Sequence, residues 1–90
     1  MSDATSVEIR VSVDVGSRQH HVAIGLSNGA VLEEFAIAHR PEGFAHLFAR
    51  LETHHHHYPG PVAVAMEGYN GYARSLDRLV QARVSTLQYQ

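Results

Sequence analysis

Residues 7–15 read Val7-Glu8-Ile9-Arg10-Val11-Ser12-Val13-Asp14-Val15. Val7, Ile9, Val11, Val13 and Val15 fall on one side of an extended chain, and Glu8, Arg10, Ser12 and Asp14 on the other. A period of two is the signature of a half-buried β-strand. Gly16-Ser17 ends the run, and His20 to Leu26 forms a second β-like stretch. Ser27-Asn28-Gly29 follows; Asn-Gly suits the positive φ angles of a tight hairpin. Val31 to Ala38 is a third stretch. The first forty residues of the chain therefore predict a three-stranded antiparallel meander.

Beyond Pro41 the period changes. Phe44, Leu47, Phe48 and Leu51 recur at i, i+3, i+4 and i+7, one apolar face of a helix. This helix is expected to fade into Thr53 and the run His54 to His57, with Pro59-Gly60-Pro61 closing a loop. Val62-Ala63-Val64-Ala65-Met66 is apolar on both faces and predicts a central strand buried on both sides, beside the first strand and ended by Glu67. Tyr72, Leu76, Leu79, Val80 and Arg83 predict a second helix, with Arg74, Asp77, Arg78 and Gln81 on its outer face. Val84 to Tyr89 begins a last strand. The order βββαβαβ makes an α/β domain: a meander, two parallel strands, and helices packed on a mixed sheet. Residues 1–6 read as a flexible tail and residues 7–90 as one unit, without internal repeats.

Composition bounds the function. Ninety residues are one small domain at most, and 44% hydrophobic content argues against wholesale disorder. No apolar run approaches the roughly 20 residues of a membrane helix, and the N-terminus lacks the order of a secretory signal. Absence of Cys removes disulfides, thiolate zinc sites and thiol catalysis, and fits a cytoplasmic location. Net charge is −2, and every basic residue is Arg, so no sequence-wide basic footprint advertises nucleic acid.

Two acids stand out by position. Asp14 ends the first strand before Gly16, and Glu67 ends the fourth before Gly68. If those strands are parallel neighbours, both carboxylates emerge where α/β sheets bind ligands. Adjacent carboxylates repel unless a cation or proton intervenes, and Mg²⁺ or Mn²⁺ suits their hard oxygens. The other reading is two solvated strand-end residues. Tyr69 is either a loop residue or a base-stacking platform. Arg74 and Arg78 share a helix face that either meets phosphate or is merely solvated. The four consecutive histidines read as a solvated loop, since a specific zinc site needs ligands with fixed directions. Of His20 and His21, one points in and one out, a structural role; His39 and His46 belong to no constellation.

A resemblance enters at these residues. Val11-Ser12-Val13-Asp14-Val15-Gly16-Ser17 with His20-His21-Val22-Ala23-Ile24 resembles the opening of RNase H-like folds. Val62-Ala63-Val64-Ala65-Met66-Glu67-Gly68-Tyr69-Asn70-Gly71-Tyr72 resembles the RuvC-like domain of DEDD transposases of the Piv invertase-related insertion sequences. The likeness spans about residues 7–88. It implies that Asp14 and Glu67 are the first two catalytic, metal-binding carboxylates, and that two later Asp belong on a helix beyond Gln90. It further implies Mg²⁺ or Mn²⁺, DNA cut and rejoined, and a guide RNA in the full-length protein. A homo-oligomer is expected separately, because an incomplete sheet with an exposed edge should associate. Two competing readings remain. Asp14-Val15-Gly16-Ser17 also looks like the first phosphate loop of actin- and hexokinase-type ATPases. A final strand with an exposed edge also suits a non-enzymatic assembly module.

Overall fold

The computed structural model describes residues 7–68, 78 and 80–82. The strand β1 spans Ile9–Val15, β2 Gln19–Leu26 and β3 Val31–Ala38; the helix α1 spans Pro41–His57, and β4 spans Val62–Gly68. The sheet order is β3-β2-β1-β4, with β1 antiparallel to β2, β2 antiparallel to β3, and β1 parallel to β4. The meander, the crossover through α1 and the pairing of the fourth strand with the first are therefore as the residue pattern predicts. The mixed sheet with its helix has the architecture of an RNase H-like fold.

The alternation of β1 becomes its burial: Ile9, Val11, Val13 and Val15 are buried while Arg10, Ser12 and Asp14 are exposed. On the same side, Val22, Ile24 and Leu26 of β2, Ile37 of β3 and Val62 of β4 meet Leu47 and Leu51 of α1. Pro41 opens α1 at its first position, where its missing N–H is no loss. Gly43 lets that turn press on the end of β3, because a Cβ there would lie 2.2 Å from the Ala38 carbonyl oxygen. Arg78, Val80, Gln81 and Ala82 are helical, with Val80 fully buried and the other three exposed, as the second helical period predicts. The expected tail 1–6 and last strand 84–89 lie outside the described residues.

Three expectations change. The histidine run is not a loop: His54, His55, His56 and His57 form the last turn of α1. His54 bonds Glu33 of β3 at 2.8 Å, and His55 bonds the Gly60 carbonyl at 3.2 Å, so tertiary contacts continue the helix. The fourth strand is not buried on both sides. Ala63, Ala65 and Glu67 are exposed, and among the described residues β4 pairs with β1 alone. Its alternate side chains face away from α1, where small residues leave the sheet open. The hairpin turn uses one positive φ, at Gly29 (+99°), and Asn28 serves through its side chain instead, its Oδ1 accepting the Ala30 N–H at 2.9 Å.

Candidate active site

Two registers build the site. In the antiparallel pair Asp14 stands opposite His21, and in the parallel pair Asp14 stands opposite Glu67. His21, Asp14 and Glu67 thus form one row across β2, β1 and β4 on the face that α1 leaves open. Adjacent strands run about 4.8 Å apart, so the two acids are immediate neighbours. Both are exposed. Like charges set directly opposite in a sheet are destabilising, so the row asks for a counter-charge. His21 is turned towards Glu34 of β3, its Nε2 3.5 Å from the carboxylate.

The strand ends around these acids are tightly defined. Gly68 has φ +124°, and a Cβ there would sit 2.3 Å from the Val15 carbonyl oxygen. Only glycine combines that backbone with that approach, so Glu67 is followed by the residue that lets β4 close on β1. Past Asp14, the Gly16 N–H donates to Nδ1 of His20 at 3.1 Å, and Nε2 of His20 lies 2.8 Å from Nδ1 of His39. Burial holds the His20 imidazole below its ordinary basicity, and the neighbouring His39 adds to this. A shallow cavity of about 320 Å³ lies here, lined by Asp14, Val15, Gly16, Gln19, His20, His21 and Ala36.

Of the residues singled out in the sequence, Asp14 and Glu67 are brought together. Arg78 is exposed on its helix; Tyr69 and Arg74 lie outside the described residues. His20 points in and His21 out, as alternation predicts. His39 was expected to stand apart, yet it partners His20 and takes an edge-on contact with Phe44. No local pattern announces this, because the register that brings the end of β3 beside the start of β2 is tertiary. His46 is likewise engaged, edge-on to Phe35 with ring centroids 5.0 Å apart. Two carboxylates side by side are a fitting oxygen-donor pair for a hard divalent ion. Among the described residues, no set of three metal-ligating side chains converges on one point.

No helix among the described residues is long and apolar enough to cross a membrane. No curated protein and no solved structure gives a match. The family model of the IS110-type DEDD transposases, described as a transposase, matches residues 11–89. That span takes in β1 from Val11, the hairpins, α1 and β4, and with them both Asp14 and Glu67. Matched over nearly its whole length, and with the strand order such a domain requires, the chain belongs to the DEDD transposase family.

Proposed function

We propose that this chain supplies the first two carboxylates of a divalent-metal centre that cuts and rejoins DNA by phosphoryl transfer. In this reading, residues 7–90 are the N-terminal portion of an RNase H-like catalytic domain. The observation that carries it is the register Asp14↔Glu67 across β1 and β4. Family membership favours a transposase over the ATPase and assembly-module readings.

Asp14 and Glu67 would hold Mg²⁺ or Mn²⁺ through carboxylate oxygens, and the ion would relieve their mutual repulsion. A bound ion of this kind polarises phosphoryl oxygens and generates a nucleophile at neutral pH. The protein's own part is placement. Gly68 fixes the exit of β4 beyond Glu67, and the turn after Val15 fixes the exit of β1 beyond Asp14. Substrate DNA would approach from the open face, where Ser12, Ala23, Ala63 and Ala65 leave low relief around the acids.

A melting series with Mn²⁺ and Mg²⁺ tests this. At ten times Kd, binding to the folded chain alone is worth about 1.4 kcal/mol. For a domain this size that is a rise in Tm of roughly 5–10 °C. The rise is expected in the wild type and absent from Asp14→Asn and Glu67→Gln. An equal rise in both variants, or none in the wild type at saturation, overturns the reading. The ninety residues alone match two of the family's four carboxylates and are expected not to cleave DNA. Strand cleavage by the purified chain, lost in Asp14→Ala, would contradict that.

A further inference from the structure

We propose that His20 is a positioning residue for the Asp14–Glu67 centre, its ring holding the end of β1 just beyond Asp14 against the junction of β3 and α1. This rests on the metal-centre reading above. His20 is paired in register with Val15 of β1 and with Ile37 of β3, and points to the α1 side of the sheet. It is completely buried, and it is the one buried polar residue among those described. Both ring nitrogens are used. Nδ1 accepts the Gly16 N–H, so a neutral ring carries its proton on Nε2. Nε2 therefore donates to Nδ1 of His39.

A second strap runs back the other way. The His39 N–H donates to the Arg18 carbonyl at 2.9 Å. The turn 16–18 is thus fastened at its start through the His20 ring and at its end through the His39 backbone. Phe44, from the first turns of α1, closes over both imidazoles. It stacks on His20 at 6.1 Å and meets His39 edge-on at 5.4 Å. The turn has little slack, since a Cβ on Gly16 would lie 2.5 Å from the Gln19 carbonyl oxygen. An apolar residue of similar volume would fill the space of His20 but leave the Gly16 N–H without its acceptor. The use of two opposed nitrogens, one of them on the Gly16 amide two residues past Asp14, marks the ring as a brace for the strand end.

The two nitrogens can be separated by substitution. In His20→Asn, Oδ1 stands near the place of Nδ1 and keeps an acceptor for Gly16. In His20→Gln, the longer amide reaches towards His39 and gives up Gly16. By NMR, His20→Asn should keep the Gly16 amide and Asp14 carboxyl-carbon signals near their wild-type positions, whereas His20→Gln should move both. Loss of a supporting contact of this kind typically weakens metal binding about 10–100-fold, so Mn²⁺ affinity should fall by about tenfold or more in His20→Gln and hold in His20→Asn. Equal behaviour of the two variants overturns the proposal. Should either fail to fold, the wild-type ring decides: nitrogen NMR should show the Nε2–H tautomer, and an Nδ1–H tautomer overturns the proposal. Asp14 signals that move only in His20→Gln support it even if the wild type takes no Mn²⁺, in which case the metal reading alone fails. Mn²⁺ bound equally well by the wild type and both variants refutes the brace and leaves the metal reading standing.

Discussion

Two ionisable residues, His20 and Glu33, have their proton affinity shifted by the fold. The His20 ring is disfavoured as a cation, first by burial and then by His39. The unfolded chain therefore binds that proton more readily. Its contribution is complete above the ordinary value of 6.5 and is lost as pH falls through the lowered folded value. Glu33 lies on the α1 side of β3. His54 bonds one carboxylate oxygen at 2.8 Å, and Nε of Arg50 donates to both at 2.9 and 3.1 Å. These partners, His54 foremost, hold its carboxyl below the ordinary 4.5 although burial pushes the other way. Its stabilisation is present above 4.5 and lost as pH falls through the lower folded value. Both signs agree: Tm should decline in two steps on acidification, the first below about pH 6.5 and missing in His20→Asn. A melting profile flat from pH 7 to 5 would refute the first step. Gly68→Ala should cost about 1–3 kcal/mol in urea unfolding, because φ +124° strains any side chain, and the clash with Val15 adds to it. Neither the clamp on Glu33 nor the His20–His39 bond was open to inference from sequence, because His54 reads as loop there and the partners of both lie on distant elements.

At the scale of elements, α1 carries the core of its side of the sheet. Leu47 and Leu51 are fully buried against β-strand residues such as Val11, Val13 and Ile24. Leu51→Ala should destabilise by about 2–5 kcal/mol, the spread reflecting how far the site collapses. His56→Ala, on an exposed position of the same helix, should stay within about 0.5 kcal/mol of the wild type. Paired urea titrations with equal m-values check both. The i, i+3, i+4, i+7 series made the body of α1 legible. Its end was not, because histidine is an indifferent helix former. What carries the helix on to His57 is side-chain bonding: His54 to Glu33, His55 to the Gly60 carbonyl and His57 to the Thr53 carbonyl. The double-sided apolar look of 62–66 misled for a related reason. Alanine does not reveal whether it is covered, and here Ala63 and Ala65 face away from the only described helix long enough to cover a sheet face.

For the whole molecule, charge and topology act together. Seven arginines against nine acids leave −2, and two of the arginines, Arg10 and Arg50, already pair with Glu8 and Glu33. The ninety residues are therefore expected to bind duplex DNA no tighter than the 10⁻⁴–10⁻⁶ M typical of non-specific contacts at physiological salt. Fluorescence anisotropy over a salt series checks this; tight binding with a steep salt slope would contradict it. The order of the described strands, the body of α1 and the strand-end positions of Asp14 and Glu67 could all be read along the chain, because periodicity and strand-end position are local properties of sequence. Which residues meet was decided by the tertiary structure. The parallel register that sets Asp14 beside Glu67, the bond that ties His20 to His39 and the clamp on Glu33 each join segments seventeen or more residues apart. Such contacts depend on strand register and helix packing, and a shift of one residue would turn every side chain of a strand to the opposite face.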